Sequence, residues 1–303
     1  MTRRMPAPEA YHLAGTVGQL AFSRYDPCAR FVDGAFWQAV RTPHGPATLS
    51  LRRDGAEVVA DGYGPGAEWL VARADAVAGL RDDLTGFADL AAAHPVVARL
   101  ARAHRGLRLP ATGLVFGRLL RAVCEQKVTG TEAYRAYAAT VRHFGEPAPG
   151  PTSGAGVRLL LPPEAAEVAA TPYWTFHRFG LEQRRADTLC RAAVAAARLE
   201  RCADAAEATR RMTAIAGIGP WTAAEVVRTV HGDPDAVSVG DYHIPNAVAW
   251  ALAGEPRGGD ARMLELLEPF RGHRGRVCLL LKAGGIGAPR FGPRMPVRSF
   301  ATF

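Results

Sequence analysis

The run Gly217-Ile218-Gly219-Pro220-Trp221-Thr222, followed twenty residues after Trp221 by Asp241-Tyr242-His243, holds the groups whose types and spacing best suit chemistry. The two glycines allow a tight turn that other residues resist. Pro220 suits the first position of a helix, where its missing N–H is not needed. Ile218 is expected to plug the seam between the two helices so joined. The exposed amides of such a turn, beside a helix N-terminus, form a site for a phosphate. A glycine turn also serves any two packed helices, so the motif alone leaves both readings open. Asp241 opens the next helical segment, a place where aspartate commonly caps the helix. Capping and a chemical role are compatible, because a helix N-terminus favours a nearby negative charge. His243 could hold that carboxylate or a phosphate, or be satisfied by local polar groups.

Other nucleophiles are few. Lys127 and Lys282 are the only lysines, so 35 of the 37 basic residues are arginine. The cysteines, Cys28, Cys124, Cys190, Cys202 and Cys278, form no C-x-x-C pair or close cluster. That spacing supports neither a zinc nor an iron–sulfur site, and free thiols in a reducing cytosol are expected. The net charge is +8, and seven positive residues follow Glu268 with no acidic one among them: Arg271, Arg274, Arg276, Lys282, Arg290, Arg294 and Arg298. A polyanionic partner is expected, while for the tail itself a solvated segment and a phosphate contact both remain open. No run approaches the roughly 18 apolar residues of a membrane span, and no apolar signal-peptide core follows Met1–Ala10. A soluble cytoplasmic protein is expected.

The elements that must position these groups show two textures. From about Tyr11 to Asp61 the pattern is strand-like. Phe36–Val40 leads to a His44-Gly45-Pro46 turn, Ala47–Leu51 alternates, and Asp54-Gly55 predicts a hairpin into Ala56–Ala60. Glu68–Leu80 then reads as one helix, with Leu70, Val71, Ala74, Val77 and Leu80 at helical spacing. From Pro95 onward nearly everything is helical, near 96–104, 114–127, 131–144, 181–199, 203–212, 220–230, 242–252 and 261–270. Gly145–Pro163, rich in Pro and Gly, is expected to be an exposed loop. The expected class is α+β and mostly α. A small antiparallel β domain with one helix over residues 1–90 would precede an all-α domain over 91–303, ending in the basic tail.

A helix-hairpin-helix, a Gly/Pro-rich turn and an aspartate at the next helix start resemble the signature of the HhH-GPD superfamily of DNA glycosylases. The G-I-G-P-W-T-A run and its separation from Asp241 are most similar to 3-methyladenine DNA glycosylase II, the AlkA type. The resemblance covers the chain from about Leu114 onward. The β domain agrees in order and size with the TATA-binding-protein-like half found in AlkA-type enzymes. The resemblance implies a repair enzyme that flips a damaged base out of double-stranded DNA and hydrolyses its N-glycosidic bond. Asp241 would stabilise the oxocarbenium-like sugar and orient or deprotonate the attacking water. Trp221 would wall the base pocket; Tyr242 and Phe270 are further pocket candidates, with core packing favoured for each. Gly217, Ile218, Gly219, Thr222 and His243 would meet DNA. Glu125-Gln126-Lys127-Val128-Thr129 resembles the superfamily's G-Q-x-[VI]-S segment, which fills the gap left by the flipped base. Gln126, Lys127 and Thr129 are therefore DNA-binding candidates, and Lys127 stands at the wedge position. Gly180-Leu181 with Arg184-Arg185-Ala186 resembles a short stretch that precedes the hairpin in these enzymes; its arginines suit phosphate contact or solvation equally. Tyr173–His177 reads mainly as core, or as one wall of the pocket.

Departures from the pattern bear on the chemistry. Superfamily members that also nick DNA carry a Schiff-base lysine just after the hairpin glycines, where this chain has Trp221. The C-terminal four-cysteine cluster of the endonuclease III and adenine-glycosylase branches is also missing, leaving only Cys278. A monofunctional enzyme without lyase activity or cofactor is therefore expected, a monovalent cation on the hairpin carbonyls being compatible with the resemblance. Glu225, one turn after Trp221, stands where the AlkA type often has an aromatic. It could attract a cationic base, although a solvent-facing helix glutamate is the favoured reading. Alkylated purines are the expected substrates, since they carry a charge that suits aromatic walls. The protein is expected to act as a monomer at the nucleoid. The alternatives are a non-catalytic helix-hairpin-helix DNA-binding or damage-sensing protein, and a glycosylase for deaminated or oxidised bases.

Overall fold

A computed structural model describes residues 1–151 and 157–289. The tail arginines Arg290, Arg294 and Arg298 lie outside the described residues. The first unit is a five-stranded antiparallel sheet of β1 (Thr2–Pro6), β2 (Ala29–Val32), β3 (Ala35–Thr42), β4 (Gly45–Asp54) and β5 (Glu57–Tyr63), in the order β1-β5-β4-β3-β2. Asp54 pairs with Glu57 across the Asp54-Gly55 turn, as the sequence predicts. Alternation along β3 divides its two faces. Phe36 and Val40 join Leu49, Leu51, Val58 and Ala60 in a core roofed by α1 (Leu13–Val17), α2 (Ala67–Ala72) and α3 (Ala74–Val77). The single helix expected over 68–80 is thus broken, at Arg73; α1 replaces the start of the expected strand pattern, and β1 precedes it.

The other face of β3 explains the Pro/Gly-rich segment. Ala35, Trp37 and Ala39 pack against Leu159 and Leu161, and Leu161 is only 1% exposed. Chain on either side of residues 152–156 forms a short antiparallel pair, with Ala148 N–H donating to the Leu159 carbonyl at 3.0 Å. Residues 145–163 are therefore not simply an exposed loop. Their flanks return from the helical body and cover the outer face of the sheet, burying two leucines that composition alone does not distinguish from loop residues.

The helical body has two cores. One is formed by α6 (Val115–Cys124), α7 (Gly130–Phe144), α8 (Ala165–Ala170), α9 (Gln183–Leu199), α10 (Ala205–Thr213) and α11 (Pro220–Val230). The other joins α4 (Phe87–Ala91) and α5 (Pro95–Ala103) to α12 (Ile244–Ala253), α13 (Asp260–Leu267) and α14 (Arg274–Ala283). The segment between α11 and α12 crosses from one core to the other, Ala236 packing in the first and Val237 and Val239 against the second. Asp241 lies on that crossing. Within the basic stretch after Glu268, Arg274–Ala283 form α14, whose Val277, Leu280 and Leu281 are buried. Among the described residues no helix is long and apolar enough to cross a membrane.

Candidate active site

The hairpin between α10 and α11 is built as its glycines suggest. Gly217 has φ +98°, and a Cβ there would meet Thr188 Oγ1 at 2.0 Å, so both backbone conformation and space demand glycine. Ile218 is 4% exposed and plugs the core, and its amide donates to the Ile215 carbonyl at 3.0 Å. Gly219 faces open space and precedes Pro220, the first residue of α11. First-turn amides of a helix have no partner four residues back, so this end of α11 presents N–H groups and a positive dipole end.

Asp241 follows Gly240, whose positive φ of +92° sets the turn and whose N–H donates to Asp260 Oδ1 at 3.0 Å. Asp241 N–H donates to the Ser238 carbonyl at 3.2 Å. Its Oδ1 accepts the backbone N–H groups of His243 and Ile244 at 2.7 and 2.9 Å, which caps α12. Its Oδ2 accepts the Trp221 indole N–H at 2.9 Å. An ionised carboxylate offers about four acceptor positions, so one remains for a ligand after these three bonds. The half-buried carboxylate is therefore fixed in orientation by donors from two helices and is still able to interact outward.

The surrounding residues separate into those that face outward and those that hold the frame. Tyr242, for which core packing is the favoured expectation, is instead 84% exposed and lies edge-on to the His243 ring, centroids 4.9 Å apart. The backbone amide of His243, not its ring, holds Asp241. Lys127 is exposed at the turn between α6 and α7 with φ +54°, a left-handed conformation uncommon outside glycine and asparagine. Gln126 turns inward: its amide donates to the Gly217 carbonyl at 3.0 Å and to Thr222 Oγ1 at 2.9 Å, which ties the Lys127 turn to the hairpin.

Several expectations are corrected. Thr222 is 2% exposed, so neither its side chain nor that of Ile218 offers surface to DNA. Thr129 caps α7 in a reciprocal box with Glu132, its N–H donating to Glu132 Oε2 at 2.8 Å. Phe270, by contrast, packs in the core as favoured, 2% exposed inside the second helical core, and the pocket alternative falls. Arg185 is buried, donating to the carbonyls of Cys124 and Gly180 and pairing with Glu182, which removes it from phosphate contact. Phe176 is core, but Trp174 beside it is 62% exposed.

Glu225 is neither solvent-facing nor open toward a base. Its Oε2 accepts from Arg118 at 2.8 Å, and its Oε1 accepts from Arg228 and from Ser238 Oγ at 2.6 Å each. Burial pushes its carboxyl up, but Arg228, Arg118 and the Ser238 hydroxyl outweigh that and hold it well below the usual carboxylate range. Arg118, Arg228 and Ser238 escape a reading by motif. The available signal is an acid and a base three apart, Glu225 and Arg228, on a helix otherwise lined with Ala, Val and Thr.

More than nine tenths of the chain aligns with solved structures of DNA glycosylases. The 3-methyladenine DNA-glycosylase of Archaeoglobus fulgidus aligns with a TM-score of 0.76 at 16% identity, covering 92% of this chain and 96% of that one. The 8-oxoguanine glycosylase/lyase of Clostridium acetobutylicum, in its apo form, aligns with a TM-score of 0.70 at 13% identity over 93% and 95%. The same enzyme in complex with double-stranded DNA containing cytosine opposite 8-oxoG aligns at 0.70, with 14% identity over 94% and 99%. No family model matches the chain, and no curated protein matches it in sequence. At these identities the likeness establishes the fold, a small antiparallel sheet followed by helices. The neighbours include both a glycosylase and a glycosylase/lyase.

Proposed function

We propose that the chain is a monofunctional DNA glycosylase of the helix-hairpin-helix superfamily, acting on alkylated purines in double-stranded DNA with Asp241 as its catalytic residue. The observation that carries this reading is the Asp241 carboxylate, clamped by the Trp221 indole and the His243 and Ile244 amides at the start of α12, one helix away from a glycine hairpin of open amides. The N-terminus of α11 binds a DNA phosphate through N–H groups and dipole. The exposed Lys127 turn, anchored through Gln126, enters the gap as the target nucleotide leaves the stack, its stem filling space and its amine reaching a phosphate. The extruded base rests against the Trp221 and Tyr242 rings, which favour a cationic purine.

Bond cleavage then follows from the carboxylate. The C1′–N bond breaks with its electron pair going to the base, which neutralises the charge of an alkylated purine. Asp241 stabilises the developing oxocarbenium ion, and water adds to C1′ while its proton passes to the carboxylate. No amine stands at Trp221 to form a Schiff base, which supports hydrolysis without strand cleavage. No metal cluster or other cofactor is proposed. The Ile218 carbonyl, which takes no donor among the described residues, fits a monovalent cation seated on the hairpin, where its charge would assist phosphate binding; no step runs through it.

The test is incubation of purified protein with methylated, deaminated and 8-oxoguanine-containing duplexes. Release of methylated purines without strand nicking is expected. Release from oxidised or deaminated duplexes alone would replace the substrate assignment, and nicking without added alkali would overturn the monofunctional one.

A further inference from the structure

Behind the site runs a buried line of alternating charge. Arg121 Nε meets Glu125 Oε1 at 3.3 Å, and Glu125 Oε2 meets Arg118 at 3.2 Å. Arg118 meets Glu225 at 2.8 Å, and Glu225 meets Arg228 at 2.6 Å. The line ends on Ser238, whose Oγ donates to Glu225 at 2.6 Å and accepts from Arg228 at 3.2 Å. Ser238 is 1% exposed, and the ionised side chains before it retain no more than 19% exposure.

Both ends of this line touch segments that face outward. At one end Glu125 immediately precedes Gln126 and Lys127, and the Gln126 amide grips the hairpin at Gly217. At the other, the Ser238 carbonyl accepts the Asp241 N–H at 3.2 Å. Packed apolar side chains would hold these helices together at no desolvation cost, whereas buried ion pairs are often no more stable than such packing. What ion pairs add is direction, because each guanidinium fork accepts only certain carboxylate positions.

We propose that Glu225 is a positioning residue for the hydrolysis, setting through Arg118, Arg228 and Ser238 the seat of the Asp241 carboxylate. The inference rests on the glycosylase reading. A shift of the Ser238 carbonyl moves the Asp241 backbone, and with it the carboxylate, relative to the sugar. Misplacements on the order of 1 Å by residues remote from the chemistry can cost about a hundredfold in rate.

The experiment measures single-turnover base release from a methylated duplex, and affinity for an abasic duplex, for wild type, Ser238→Ala, Glu225→Gln, Asp241→Asn and the double variant Glu225→Gln/Asp241→Asn. Circular dichroism and a cooperative unfolding transition confirm folding. The expected result is a rate loss of about ten- to a hundredfold for Glu225→Gln, a smaller loss for Ser238→Ala, and affinity within a few-fold of wild type. The double variant is expected to be no slower than Asp241→Asn, because Glu225 acts only through Asp241. Wild-type rates in folded Glu225→Gln would overturn the proposal, as would losses that multiply in the double variant. If Glu225→Gln does not fold, Ser238→Ala decides by the same rate criterion. Full activity in Asp241→Asn would instead overturn Asp241 as the catalytic residue, and no base release by the wild type from any damaged duplex would overturn the glycosylase reading itself.

Discussion

Two regions of the molecule carry the residues that the sequence makes conspicuous, and they use them in opposite ways. The stretch after Glu268 is dense in positive charge, yet its described arginines are paired with acids of the same chain. Arg271 pairs with Glu268 at 2.6 Å, Arg274 Nε with Asp235 at 2.9 Å, and Arg276 with Asp82 at 2.9 Å in a pair whose side chains are 4% and 3% exposed. The hairpin and the Asp241 crossing contain few charges, but they present directed donors, one fixed carboxylate and an exposed tyrosine. Charge count marks the first region; the proposed chemistry belongs to the second. An arginine beside an acid of its own chain is a tether, whereas a partly satisfied carboxylate between two helix starts keeps an acceptor position free for a ligand.

The comparison breaks most visibly at Arg276. Arg276→Ala leaves Asp82 buried without its partner, and a loss of about 3 kcal/mol or more in unfolding free energy is expected by urea titration. Base release per folded molecule should be unchanged, and a slower folded enzyme would show that the C-terminal stretch does take part in catalysis. A second expectation concerns pH. The Glu225 carboxyl is depressed in the folded state from an ordinary value of 4.5. Its contribution is therefore complete above that value and is lost as pH falls below it toward the folded one. The stability gap between wild type and Glu225→Gln should narrow on acidification from about pH 6 to about pH 3; a constant gap would contradict the buried-charge account. The smallest effect is expected at Arg271, exposed and paired only locally. Arg271→Ala should change stability by less than about 0.5 kcal/mol and leave the salt dependence of DNA binding unaltered. A shallower salt slope would assign it a phosphate.

Much of the site was legible because local chemistry dictates it. α11 begins at Pro220 and ends at Val230 as its pattern predicts, Gly217 adopts the conformation that glycine permits, and Asp241 caps the next helix. What escaped were partnerships set by distant chain. Leu159 and Leu161 find Trp37 across roughly 120 residues, and nothing in a Pro/Gly-rich run announces a sheet to cover. Arg185 follows a motif suited to phosphate, but the carbonyls of Cys124 and Gly180 lie where its guanidinium reaches. Glu225 reads as a surface glutamate until Arg118, more than 100 residues earlier, is seen against it. The indole–carboxylate bond of Trp221 and Asp241 joins two residues singled out separately, at a spacing that foreshadows proximity without its geometry.

The most direct test is the single-turnover rate of base release from a methylated duplex by Asp241→Asn against wild type, both folded and both binding an abasic duplex. The amide keeps an oxygen to accept the Ile244 N–H of α12 and removes the negative charge proposed to face the sugar. A loss of about a thousandfold or more, with binding retained, is the predicted result. Equal rates for the two proteins would contradict the account, because catalysis would then lie outside the carboxylate that the hairpin, Trp221 and α12 hold in place.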